Sequence, residues 1–467
     1  MAARTLPAGA GPLGGFDQEV AAHVGRLKGD RSLRLRLLLP EGCLANVQPV
    51  AEAFRAQTGV EVDTLFAPVD DINTRLMLDE MTGADGYDLA LPATFAIPDL
   101  AEAGALHPLD DFAARYQPDW LREKSLYAVG DTYDGQVYGF QTDGDAYLMF
   151  YNKAWMDDPA ARERYADRFG RPLAVARTWQ ELDQQMAFFH EPERNRFGGA
   201  LFRVPTYVVW EWWIRFHAKG VWPFDDDMNP LIDGEAGVTA LKDLVRASAW
   251  LYPKAGTAGL FDNWHAFAEG NIFCNIGWGG TQKHLHNPGS AVRGNLVFAP
   301  TPGGVIDGSP ISTCYFNWGW NYVVTSRSAE PEIAYLFALF ASTPAQSTAS
   351  IAEADGYFDP FQPDHYADPR MKDAYSEPFL TVHEACLRNA MPDLYLHGHG
   401  EYFAAINDAV MAALDGSKSA EQAMAEAAKI WRVIVHRLGY GKARRQWRRL
   451  RASYPAHLAR HLKPRLV

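Results

Sequence analysis

At 467 residues the chain is too long for one small core and implies two or three domains, or two lobes that share strands. With 48% hydrophobic and 22% charged residues its composition is that of an ordinary globular protein, and a formal charge of −13 argues against a general binder of nucleic acid or anionic membranes. The charge is unevenly spread: residues 441–467 hold nine Lys/Arg and no Asp/Glu, which leaves −22 on residues 1–440. A basic stretch such as "ARRQWRRLRASY" reads as a solvated C-terminal helix, with an acidic partner or membrane surface as the sharper alternative.

In chain order, the Gly/Ala/Pro-rich start reads as a disordered or extended segment over residues 1–32. "LRLRLLLPEG" then reads as a strand followed by a loop, and "PVAEAFRAQTG" as a helix stopped by Gly59. "VEVDTLFAP" (strand), "DDINTRLMLDEM" (helix) and "YDLALPA" (strand) continue the alternation. Such alternation predicts a wound α/β sheet whose ligand end lies beyond the carboxyl ends of the strands, in the loops starting near Glu41 and Thr94. "QVYGFQTDGDAYLMFYNKAWM" (136–156) carries two strand-like runs around "QTDGD", either a plain hairpin or a crossing between lobes.

"RTWQELDQQMAFF" opens with a capping box, Thr178 with Glu181. Residues 206–222 contain Trp210, Trp212, Trp213, Phe216 and Trp222, too many for one buried helix face, so some are expected to face a cleft or another surface. "TALKDLVRASAWL" and "NWHAFAEG" read as helices leading to the strand "NIFCNI" and then to "GWGG". "NLVFAPTPGG" and "WNYVVTS" read as strands around a Pro/Gly loop, "EPEIAYLFALFAS" as an amphipathic helix, and "SAEQAMAEAAKIWRVIVHRL" as a helix with a second box, Ser419 with Gln422.

Cys43, Cys274, Cys314 and Cys386 form no CxxC pair, which excludes zinc-ribbon and thioredoxin-type motifs and leaves any bridging open. No run of ~18 apolar residues is present, and "MAARTLPAGAGPLGGF" lacks the pattern of a secretory signal. The histidine pairs "HLH" (284–286) and "HGHG" (397–400) lack further ligands at zinc spacing and read as surface-loop residues, so no metal site is expected. Neither a phosphate-cradling loop nor a G-x-S-x-G elbow occurs, and no cofactor is expected.

The ordered series resembles the extracellular solute-binding proteins of ABC importers, in the carbohydrate-binding family of maltose-binding protein. The segments carrying it run from "AEAFRAQTGVEVD" and "YDLALPATFAIPDLAEAGALHPLDDF" through "VYGFQTDGDAYLMFYNKAWM", "AFAEGNIFCNIGWGG" and "FAPTPGG" to "INDAVMAALDGSKSAEQAMAEAAK", over about residues 33–438. The resemblance implies two α/β lobes, each a mostly parallel sheet flanked by helices. They would be joined by crossings near 140–146, 297–302 and 350–357 and close on one ligand like a hinge. Lobe one would comprise 33–140 plus 302–350 and lobe two 146–297 plus 357–440, with 441–467 as a basic tail.

The resemblance also implies a periplasmic or extracellular protein, usually a monomer, that performs no chemistry and hands its ligand to a membrane permease. A carbohydrate-active enzyme and a non-exported sensor reusing the fold are the alternatives. Sugar rings combine apolar C–H faces with a hydroxyl rim, so a sugar or polyol site wants aromatic platforms plus carboxylates and amides. Carried over by position, the site comprises Glu41, Thr94, Phe95, Asp143, Asp145, Trp278, Gly279, Trp318, Trp320 and Tyr402; Trp210, like Trp213, is added on aromatic density alone. Gly277 and Gly279 would let a ligand approach the backbone beside Trp278. Trp318 and Trp320, alternating on a strand-like stretch, would face one side, as would Asp143 and Asp145.

Overall fold

The computed structural model describes residues 15–69, 71–83 and 86–464. The strands that position the candidate site are β1 (Arg34–Pro40), β2 (Glu61–Ala67), β3 (Leu89–Ala90), β4 (Gly139–Gln141), β5 (Ala146–Asn152), β6 (Phe197–Ala200), β7 (Ile272–Gly277), β8 (Leu296–Pro300), β9 (Tyr315–Phe316) and β10 (Asn321–Val324). The chain divides into two compact units. One runs up to Gly144 and resumes over Trp318–Ser376; the other comprises Asp145–Asn317 and the chain from Glu377 onward.

In the first unit the strand order is β2-β1-β3-β10-β4. β1 pairs in parallel with β2 and β3, as the strand–helix alternation predicts, while β10 runs antiparallel to β3 and β4. Leu35, Leu37, Leu38 and Leu39 of β1 are buried, as a strand covered on both faces requires. The helix Pro331–Ala341 is buried from Ile333 to Ala341, and Phe54 meets Phe337 and Phe340 edge-on at 5.1 and 5.3 Å.

In the second unit the order is β8-β5-β7-β6, with β9 also pairing β5. Here only β6 and β7 pair in parallel; β5 runs antiparallel to β7, β8 and β9. Each sheet is therefore mostly parallel in strand direction, with one strand reversed: β10 in the first unit and β5 in the second run against the other four.

Several expectations are corrected by these units. Residues 1–14 lie outside the described residues, but Phe16–Lys28, expected to be disordered or extended, is a helix that buries Val20, Ala21 and Val24. "QTDGD" is a crossing and not a hairpin: β4 and β5 belong to different sheets, and the units divide between Gly144 and Asp145. Residues 302–317 belong to the second unit rather than to lobe one, since Tyr315 and Phe316 pair with Tyr147 and Ala146 of β5. Residues 357–376 belong to the first unit, where the Tyr375 hydroxyl donates to Phe358 O at 2.8 Å.

The basic C-terminal stretch is likewise part of the second unit. Its helix Tyr440–Ala452 buries Ala443, Gln446, Trp447 and Leu450. Arg451 covers the Trp222 ring at 4.8 Å and pairs with Asp226, while Arg444 pairs with Asp227 at 3.2 Å. The acidic run 225–227 thus answers part of the tail's charge. Among the described residues no helix is long and apolar enough to cross a membrane.

The aromatic helix Tyr207–His217 also departs from expectation, because every residue in it is buried. Helices Glu235–Ala247 and His399–Leu414 pack against it, so no face remains for solvent. Its two charges are answered internally. Glu211 accepts from Arg203 at 2.7 Å and from Arg215 at 2.8 Å, and Arg215 also binds Asp183 at 2.8 Å and lies over Trp179 at 4.2 Å. Burial acts to raise the Glu211 pKa, but Arg203 and Arg215 outweigh it and hold the carboxyl below its usual range.

Candidate functional site

Each unit gathers some of the expected residues at the carboxyl ends of its strands. In the first unit, Glu41 follows β1 and lies exposed; its carbonyl accepts from the Tyr357 hydroxyl. Thr94 follows β3 and is fully buried, its N–H reaching Trp318 O at 3.2 Å and Gly319 O at 3.1 Å. Its Oγ1 donates to Asn321 Oδ1 at 2.5 Å, and Asn321 Nδ2 in turn donates to Asp131 Oδ1 at 2.6 Å. Phe95 meets Trp318 edge-on at 5.9 Å, and Trp318 meets Trp320 at 5.7 Å. Thr94, Phe95, Trp318 and Trp320 therefore form one cluster.

Trp318 is not on a strand. It has φ 73° and Gly319 has φ 64°, so the chain bends there through left-handed conformations. That conformation is unusual for a bulky side chain and typical of strain held at functional positions. The rings of Trp318 and Trp320 meet because of this bend, not because of strand alternation. Asp143 accepts the Asp359 N–H at 2.7 Å on Oδ1. Asp143 and Asp145 fall in different units and share no strand.

In the second unit, β7 ends at Gly277 and Trp278 caps the helix Gly279–His286. The Trp278 N–H donates to Thr281 Oγ1 at 3.1 Å, and its Nε1 donates to Asn317 Oδ1 at 3.0 Å. The indole lies 4.8 Å from the Tyr147 ring, 5.9 Å from Trp210 edge-on and 6.2 Å from Phe202. Tyr207 completes the group, stacked on Phe202 at 4.8 Å and edge-on to Trp210 at 5.5 Å. Trp278 itself is only 5% exposed.

A Cβ on Gly277 would lie 2.2 Å from Thr281 Oγ1, so this glycine makes room for the helix cap and not for a ligand. Gly279 occupies the first position of that helix.

Tyr402 does not join this group. It is buried between Trp431 at 5.0 Å and Phe224 at 5.7 Å, and its carbonyl accepts from Trp431 Nε1 at 2.9 Å. Trp213 packs on Phe403 and His217. His399, expected in a surface loop, is buried against the Phe403 ring at 4.4 Å with Nε2 3.4 Å from Asp393.

Asp145, whose carbonyl accepts the Asn317 N–H at 3.4 Å, is buried in the same unit as Trp278.

Tyr147, Phe202, Tyr207 and Asn317 were not singled out from the sequence. Asn317 is fully buried; its Oδ1 is held by Trp278, and among the described residues its Nδ2 has no hydrogen-bond partner. Because the indole donor fixes the amide orientation, this N–H₂ is directed away from Trp278 as an available donor. Its only sequence signal was its place in "FNWGW", one residue before Trp318.

The fold and these clusters define a two-unit α/β protein with aromatic rings and amide groups gathered at its strand ends. Residues 50–376 match the model of the bacterial extracellular solute-binding protein family, and the chain belongs to that family. A probable amino-acid ABC transporter periplasmic-binding protein of Sinorhizobium fredii is 24% identical over 338 residues, 70% of this chain and 73% of that protein. Among solved structures, a ribitol complex of an ABC transporter solute-binding protein from Agrobacterium radiobacter superposes with TM-score 0.74 at 18% identity, covering 86% of this chain and 98% of that one. A maltose-bound T. maritima protein gives 0.73 at 19%, covering 86% and 100%. A D-mannitol complex of a solute-binding protein from Agrobacterium vitis gives 0.71 at 18%, covering 87% and 99%.

Proposed function

We propose that the chain is the ligand-capturing subunit of an ABC import system, acts outside the cytoplasmic membrane as a monomer, and carries a sugar or polyol to a permease without chemical conversion. The observation that carries this reading is the Trp278 group, in which an indole ringed by Tyr147, Phe202 and Trp210 stands beside the unpartnered Nδ2 of buried Asn317. A flat apolar surface next to a fixed hydrogen-bond donor suits a molecule with C–H faces and hydroxyl oxygens. In the first unit, Phe95, Trp318 and Trp320 supply a second aromatic surface. Glu41, Asp143 and Asp145 remain candidate acceptors for hydroxyl groups. The ribitol, mannitol and maltose complexes of proteins with this fold support the same chemistry.

The S. fredii relative bears an amino-acid transport name and favours a second reading, an amino-acid ligand. A thermal-shift and tryptophan-fluorescence screen of ribitol, D-mannitol, maltose and the twenty amino acids separates the two. Saturable stabilisation by a polyol or sugar is expected, and stabilisation by amino acids alone would replace the reading.

A further inference from the structure

Beside the edge strand β4 of the first unit lies a cavity of about 160 Å³, walled by Leu121, Ser125, Phe140 and Phe361. Gln141 and Gln362 line it and are 3% and 2% exposed. Each amide is oriented by a backbone carbonyl: Gln141 Nε2 donates to Asp143 O, and Gln362 Nε2 to Ser342 O at 3.1 Å. Reversing either amide would set oxygen against oxygen, so both Oε1 atoms stay where they are, buried and without a partner among the described residues.

Asp131 lines the same cavity. Burial pushes the Asp131 pKa well above the usual carboxylate range, against the neutral donors that reach it, the Gln141 backbone N–H and Asn321 Nδ2 at 2.6 Å, and against the charge of Arg122. Arg122, the cation lining the cavity, is exposed and acts on Asp131 at a distance through its charge, without an ion pair among the described residues. A desolvated carboxylate requires a counter-charge or a proton, and two buried amide oxygens require donors or a cation.

We propose that this cavity binds a small monovalent cation, ammonium or an alkali-metal ion, through Asp131, Gln141 Oε1 and Gln362 Oε1. One carboxylate matches a single positive charge, whereas a calcium site gathers six to eight oxygens, commonly with several carboxylates. The volume leaves room for water beside the ion. The cavity connects to the candidate ligand residues through Asp131, Asn321 and Thr94, so the bound ion holds the Thr94 side chain in register. The assignment does not rest on the identity of the transported solute.

The test is thermal unfolding of the full chain in ammonium, potassium, sodium and choline chlorides at equal ionic strength, with titration of each cation. Choline, methylated and without N–H donors, is the control for general salt effects. A saturable rise in Tm with one of the three small cations and none with choline is expected. Asp131→Asn should weaken that cation by at least about tenfold, the loss of one charge-assisted contact. Arg122→Gln, a surface change that spares the fold, should tighten it by removing a nearby like charge. Identical Tm values in all four salts, meaning water or a proton fills the site, would overturn the proposal. So would full cation stabilisation in Asp131→Asn, or unchanged cation affinity in Arg122→Gln.

Discussion

Replacing Trp278 with Phe removes the indole N–H and the pyrrole ring while leaving a six-membered ring among Tyr147, Phe202 and Trp210. The lost donor is the one that Asn317 Oδ1 receives at 3.0 Å, and Asn317 is fully buried. Leaving a buried acceptor unpaired costs about 1–3 kcal/mol of stability. The same change lets the Asn317 amide rotate, so the ligand loses a fixed donor as well as part of its aromatic platform. Stacking on an aromatic ring contributes about 0.5–1.5 kcal/mol and a hydrogen bond about 1 kcal/mol, which together predict a roughly 10- to 100-fold rise in Kd. Urea unfolding measures the first effect, and calorimetric titration with the best polyol or sugar from the screen measures the second. A loss of stability with unchanged affinity would assign Trp278 to the core alone. Unchanged stability would refute its bond to Asn317.

Three further outcomes follow from the same geometry. Gly277→Ala places a methyl group against Thr281, and should cost about 1–3 kcal/mol through overpacking and loss of the cap while weakening ligand binding; equal stability in urea would contradict the close approach. Glu211→Gln leaves Arg203 and Arg215 buried with one carboxylate removed, and should cost about 3–5 kcal/mol by the same assay, with a smaller loss counting against the network's enclosure. His217 is buried between Trp213 O at 2.9 Å and the Tyr454 hydroxyl at 3.2 Å, and burial lowers its pKa to about 4. Because the unfolded side chain protonates first, its contribution is complete above pH 6.5 and is lost as pH falls from there to 4, by about 3 kcal/mol. Urea midpoints at pH 7 and pH 4 should converge in His217→Asn relative to the parent, and an unchanged difference would refute the assignment.

The wound strands and most helices were legible because their patterns are local. β1 shows its continuous apolar run, and the helix ended by Gly59 its stop signal, within about a dozen residues each, and Ser419 and Gln422 form their capping box as written. Thr178 caps its helix, but Glu181 turns instead to the Arg177 N–H at 2.8 Å, a choice set by neighbours and not by spacing. The first aromatic group was also readable, since Thr94, Phe95, Trp318 and Trp320 sit at strand ends. The second was half visible. Trp278 stood out among glycines, whereas Tyr147, Phe202 and Tyr207 come from three separate segments joined only by the fold. Aromatic density misled for Trp213 because Glu211, Arg203 and Arg215 satisfy one another, letting the whole helix become core. The basic tail misled similarly, since its partners, Asp226 and Asp227, lie more than two hundred residues earlier.

On this reading the chain reversibly binds a polar molecule with an apolar face. The most direct measurement is native mass spectrometry of the purified protein, followed by fluorescence titration with the retained compound or, if none is retained, with ribitol, D-mannitol and maltose. One sugar or polyol bound per chain, recovered chemically unchanged and altering tryptophan emission saturably, is the expected result. Turnover of the compound, or no binding by any sugar or polyol, would contradict the account.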